Sequence, residues 1–120
     1  MRNQRRQNVM NNVIKKVDLT DAKSSNLIAL IYSNEVILVE EAFCPNEIKL
    51  KFNEIAILSA IKTAHIMKVT IRKELEAIFH DTGVLFVKHS VDYGNSQSIT
   101  MHFEQFKKLQ NEIENLNKNR

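Results

Sequence analysis

The chain has 120 residues, 43% of them hydrophobic and 26% charged, with 17 Lys and Arg against 14 Asp and Glu. That length and mix suit one self-sufficient core and exclude a disordered or low-complexity polymer. A formal net charge of +3 leans toward phosphate-bearing partners, a single cysteine excludes an intrachain disulfide, and no apolar run is long enough to span a bilayer.

Residues 1–11 are polar, carry Arg2, Arg5 and Arg6, and show no apolar period, which reads as a flexible basic arm. They lack the apolar stretch of a signal peptide, so a cytoplasmic protein without membrane association is expected. Val13 to Leu19 reads as a weak strand or a short helix. Leu27–Tyr32 and Val36–Glu41 are β-branched and aliphatic runs joined by Ser33, Asn34 and Glu35, the composition of a hairpin. Pro45 closes the second run. Glu47–Phe52 then alternates, with Ile48, Leu50 and Phe52 on one face and Lys49 and Lys51 on the other.

Asn53 predicts the N-cap of a helix running to about Ala64 or His65. Its residues are apolar nearly all round, a pattern that predicts burial on more than one side or a face for homo-oligomer formation through Asn53–Ala64. Lys68–Lys73 alternates again. Lys73–Phe79 is ambiguous, because Glu74, Leu75, Glu76 and Ala77 are good helix formers. Asp81, Thr82 and Gly83 form a turn, Val84–Ser90 a strand, Asp92–Ser96 a loop, and Ser98–Phe103 a further alternating strand. From Glu104 to about Leu116, Phe106, Leu109, Ile113 and Leu116 make one apolar stripe of an amphipathic helix.

The apolar positions of Leu27–Val39 recur in register in Leu75–Val87, and those of Glu47–Phe52 recur in Ser98–Phe103. Each pair of segments leads into a helix. The expected fold is therefore α+β: two repeated antiparallel sheet units, each followed by a helix, ββββα twice. A single domain over 12–120 is expected, with repeats of about 12–66 and 67–118. Only this repetition favours a strand over a helix for Lys73–Phe79.

No catalytic constellation stands out. There is no phosphate-cradling glycine loop, nucleophile elbow or dinucleotide fingerprint, so neither an enzyme nor a cofactor is expected. His80, His89, Asp92 and His102 fall in one region without ligand spacing, which favours surface imidazoles over a metal site. Cys44 has no neighbouring base and reads as an inert thiol.

The strand-face cations carry more information. Lys49 and Lys51 stand opposite the apolar pleats of their strand, with Thr100 and His102 as their equivalents in the second copy. Lys68 and Arg72 mark a similar polar face, and Lys88 lies on Val84–Ser90. Cations with a few aromatics on a sheet suit an extended phosphate backbone whose bases stack on rings, with Tyr32, Phe79 and Phe86 as candidate rings. Exposed lysines also keep sheets soluble and unpaired at their edges.

The second copy, with its hairpin through Asp81-Thr82-Gly83, its variable loop, and the helix pattern Phe106, Leu109, Ile113, resembles the single-stranded-DNA-binding domain of the positive-cofactor-four coactivators. The two-copy form resembles the Whirly and Pur-type proteins. This resemblance extends over about 12–118. It implies non-catalytic binding of single-stranded DNA or RNA with little sequence preference. It assigns basic contacts to Lys49, Lys51, Lys68, Arg72 and Lys88, and stacking to Tyr32 or Phe86. The chain departs from the pattern in having no tryptophan, few aromatics, and Glu40, Glu41 and Glu47 in the first copy. The alternative reading is a small protein-interaction module, an inhibitor or adaptor of another macromolecule.

Overall fold

The computed structural model describes residues 13–21, 26–41, 45–61, 66–89 and 96–118. The arm at 1–11, Cys44, His65 and Asp92 lie outside them. Two four-stranded antiparallel meanders follow one another, each ending in a helix. The first has β1 (Lys15–Asp18), β2 (Leu27–Ile31), β3 (Glu35–Glu40), β4 (Asn46–Lys51) and α1 (Phe52–Ser59). The second has β5 (Met67–Arg72), β6 (Leu75–Phe79), β7 (Gly83–Lys88), β8 (Gln97–His102) and α2 (Phe103–Lys118). The chain is thus α+β, with the ββββα unit occurring twice.

Alternation along each strand decides which pleat goes inward. Leu27, Ala29, Ile31, Val36, Leu38, Ile48 and Leu50 are buried from the first sheet, and Leu75, Ala77, Phe79, Val84, Phe86, Ile99 and Met101 from the second. They join Ile55, Leu58, Phe106, Leu109 and Ile113 of the helices in one core cluster. Each of the larger side chains, fully buried, stabilises the fold by about 1.5–3 kcal/mol.

The two units repeat down to single hydrogen bonds. Ile31 faces Val36 as Phe79 faces Val84, and Leu38 faces Ile48 as Phe86 faces Ile99. The central hairpins close alike: the Tyr32 N–H donates to the Glu35 carbonyl at 2.8 Å and the His80 N–H to the Gly83 carbonyl at 2.9 Å. The entry to each helix is tied to its hairpin, Phe52 N–H to the Asn34 carbonyl and Phe103 N–H to the Thr82 carbonyl. Lys73–Phe79 resolves in favour of the repeat. Lys73 and Glu74 turn, and Leu75–Phe79 is a strand between β5 and β7, where ladder pairing and burial outweigh helix propensity.

Each helix crosses to the first strand of the other unit. From α2, the Gln105 amide donates to the Leu19 carbonyl at 2.5 Å, Lys108 donates to the Asp18 carbonyl at 2.9 Å, and Glu112 pairs with Lys15 at 2.7 Å. From α1, Glu54 holds the Arg72 guanidinium on β5 at 2.8 Å. Sheet to sheet, β4 lies against β8, where the Glu47 N–H donates to Gln97 Oε1 at 3.1 Å.

The predicted helix at Asn53–Ala64 is corrected in both length and burial. It begins at Phe52, because the Glu54 carboxylate accepts the Lys51 N–H at 2.8 Å, and it ends at Ser59. Only Ile55 and Leu58 are buried in it, while Ile57 is 63% exposed. An eight-residue helix presents one stripe to the core, so Ala56 and Ile57 face outward while Phe52 packs partly against the core. Among the described residues no helix is long and apolar enough to cross a membrane.

Candidate nucleic-acid interface

The outward pleats form repeated cross-strand rows. In the first sheet, the row nearest the β2–β3 turn holds Glu35 and Lys51, with Tyr32 continuing the outward pleat of β2. The next row reads Lys16, Leu30, Ile37, Lys49, and the one after it Asp18, Ile28, Val39, Glu47. In the second sheet the corresponding rows are His80, Gly83, His102; then Lys68, Ile78, Leu85, Thr100; then Thr70, Glu76, Val87, Ser98. Rows succeed one another at about 6.8 Å and strands at about 4.8 Å. Net positive charge falls in the second row of each unit, and net negative charge in the third.

The candidate residues divide between this face and elsewhere. Lys49, Lys51 and Lys68 stand exposed on outward pleats, and Tyr32 and His102 are half-buried on the same faces. Lys49 lies 3.8 Å from Glu35, and Lys68 lies 2.9 Å from Glu76, so both cations are partly compensated. Lys51 makes no ion pair with a described residue and stands on β4, the strand against β8.

Four expected residues do not place on that face. Phe86 is fully buried and tilts against the Phe106 ring at 6.5 Å between centroids, so it has no ring surface to offer a base. Phe79 is buried too, at 2% exposure. Arg72 is turned by a register shift after Thr70 to pair with Leu75 on the inward side. There it is engaged by Glu54 and by the Lys49 carbonyl at 2.6 Å, a latch between the units instead of a free cation. Lys88 is exposed, but it shares its pleat with Val84 and Phe86 and sits at the far end of β7.

Lys16 went unnoticed in the sequence, because β1 is four residues long and its period is faint. The usable signal was the repeat itself, since Lys16 faces Leu30 as Lys68 faces Ile78.

Between Lys68 and Glu76 lies the densest charged contact on the second sheet, completed by His89 Nε2 at 2.5 Å from Glu76 Oε1. Hydrogen bonds from Lys68 first and His89 second hold the Glu76 carboxyl below its ordinary range. Asp18 is likewise lowered, chiefly by the Thr20 backbone N–H at 2.9 Å. Among the described residues no group of three or more His, Cys, Asp or Glu side chains converges as metal ligands would. No family model, curated protein or solved structure matches the chain.

Proposed function

We propose that this is a cytoplasmic, non-catalytic protein that binds single-stranded nucleic acid with little sequence preference. The carrying observation is that both units place lysine at one outward position, Lys16 and Lys68, in rows that continue to Lys49 or Thr100 on the strand against the other unit. Phosphates are attracted by Lys16, Lys49, Lys51 and Lys68, with hydrogen bonds from Thr100 and His102. Bases lie over Tyr32 and the aliphatic centres Leu30, Ile37, Ile78 and Leu85. The duplicated ββββα order is the one implied by the resemblance to Whirly and Pur-type proteins, and it supports this reading. Self-association through α1 belongs with it, since Ile57 on that helix is 63% exposed.

Fluorescence titration of a labelled oligothymidylate at two salt concentrations tests the proposal. Affinity should fall as salt rises, with a logarithmic slope of about −0.7 per phosphate neutralised. Lys49→Glu with Lys51→Glu should weaken binding while far-ultraviolet dichroism stays unchanged. Absence of binding at low salt would overturn it.

One observation favours the second reading, a protein-interaction module. The outward centres of both sheets, Ile28, Leu30, Ile37, Val39, Ile78, Leu85 and Val87, are aliphatic where a base-stacking platform is usually aromatic. An oligonucleotide-free protein that sediments as a complex with a polypeptide partner from its native extract would favour this reading.

A further inference from the structure

Three of the chain's four histidines occupy outward pleats of one sheet, and His65 lies outside the described residues. His80 and His102 flank Gly83 in a single cross-strand row, about two strand spacings or 10 Å apart with no side chain between them. His89 continues the outward pleat of β7 three rows away, roughly 20 Å along the strands, and touches Glu76. At the matching positions of the first sheet stand Tyr32, Lys51 and Glu41, so the imidazoles belong to the second unit alone.

With the imidazoles neutral, the second sheet's outward charges cancel, because Lys68 is paired with Glu76. Protonating all three adds three positive charges to a face that otherwise carries nearly none. Imidazole is the side chain whose unperturbed titration falls between about pH 5 and 8. We propose that the second sheet is a proton-gated polyanion face, engaging phosphates through His80, His89 and His102 as pH falls, while the first sheet binds through lysines at any pH. The inference rests on the nucleic-acid reading and extends it to regulation.

The charges around these groups are compatible with it. Lys68 and Glu76 face His89 from β5 and β6, with Glu74 in the adjoining turn and Lys88 at the end of β7. Asp81 lies 4.0 Å from His80 and is 91% exposed. β4 meets β8 at the end away from His102, where Glu47 lies against Gln97, and α2 begins beside His102 with Phe103 and Glu104. A phosphate set against a protonated imidazole gains a charge-assisted hydrogen bond that a neutral ring does not offer. Proton uptake is therefore coupled to polyanion binding.

The test is titration of oligothymidylate, whose bases do not ionise in this window, at about pH 7.5 and pH 5.5 and fixed ionic strength. Affinity should rise about tenfold or more at the lower pH, and the salt slope should steepen by about 0.7 per imidazole engaged. The triple variant His80→Gln, His89→Gln, His102→Gln should bind equally at both pH values. Each single variant should remove about one third of the added slope, which keeps the test decisive if the triple variant fails to fold. Binding that is identical at both pH values sinks this inference and leaves the nucleic-acid reading standing. A rise that persists in the variants assigns the protons elsewhere and also sinks it. No binding at either pH, even at low salt, removes the underlying reading itself.

Discussion

Gln105 and Glu54 hold the same position in the two units, and each ties its helix to the other half of the molecule. The Gln105 side-chain oxygen accepts the His102 N–H at 2.8 Å while its amide donates to the Leu19 carbonyl. Glu54 accepts the Lys51 N–H and the Arg72 guanidinium. Gln105 is 4% exposed, so its partners have little water to replace it. Gln105→Ala should therefore destabilise the protein by about 1–3 kcal/mol, read as a lowered urea midpoint. Gln105→Glu should also destabilise, because it keeps the cap but sets a carboxylate against a carbonyl oxygen.

Gly83 supports a contrasting pair of variants. A Cβ built there would lie 2.3 Å from the Met101 carbonyl oxygen and 3.0 Å from the His102 Cα, both backbone atoms that cannot swing aside. Gly83→Ala must push β7 from β8 and should cost about 1–3 kcal/mol. Glu35 holds the equivalent place in the first hairpin and already carries a side chain. Glu35→Ala should change stability by less than about 0.5 kcal/mol. It should also strengthen oligonucleotide binding by freeing Lys49.

The duplicated architecture was readable because burial repeats with period two and the copies match apolar for apolar, from Leu27 against Leu75 to Leu50 against Met101. The same alignment could have removed Phe86 from the candidate rings, since it falls opposite Leu38, a core position. Arg72 was not readable in this way. Its side is set by a bulge after Thr70, and a one-residue irregularity leaves no trace in an alternating pattern. The length of α1 was hidden for a different reason. Apolar residues continue past Ser59, but the chain must leave the helix to begin β5 at Met67, and that demand comes from the fold.

Phe86 and Tyr32 separate core from surface by experiment. Phe86→Ala should cost about 3–5 kcal/mol through the cavity left beside Phe106, and would lower binding only by unfolding the protein. Tyr32→Ala should leave the thermal midpoint nearly unchanged and weaken oligothymidylate binding by about 1–3 kcal/mol, the worth of one stacked base. Equal loss of binding and stability in the Tyr32 variant would remove it from the interface.

Glu76 predicts the acid limb of stability. Its carboxyl is held below the ordinary value of 4.5 by hydrogen bonds, first from Lys68 and then from His89. A carboxylate lowered in the folded state stabilises the fold above its unfolded value, and that contribution disappears as pH falls through the lowered value. Glu76→Gln keeps the side chain's shape and abolishes the titration. Its urea midpoint should lie below that of the native protein at about pH 5, and the gap should narrow steadily toward about pH 2.5. Asp18 contributes in the same direction through Thr20, so Asp18→Asn combined with Glu76→Gln should narrow the limb further. Asp18 is exposed and Glu76 half-buried, so solvent screens both in part and the effect is smaller at high salt. A gap that stays constant across this range would mean that the Lys68–Glu76–His89 contact is not maintained in solution.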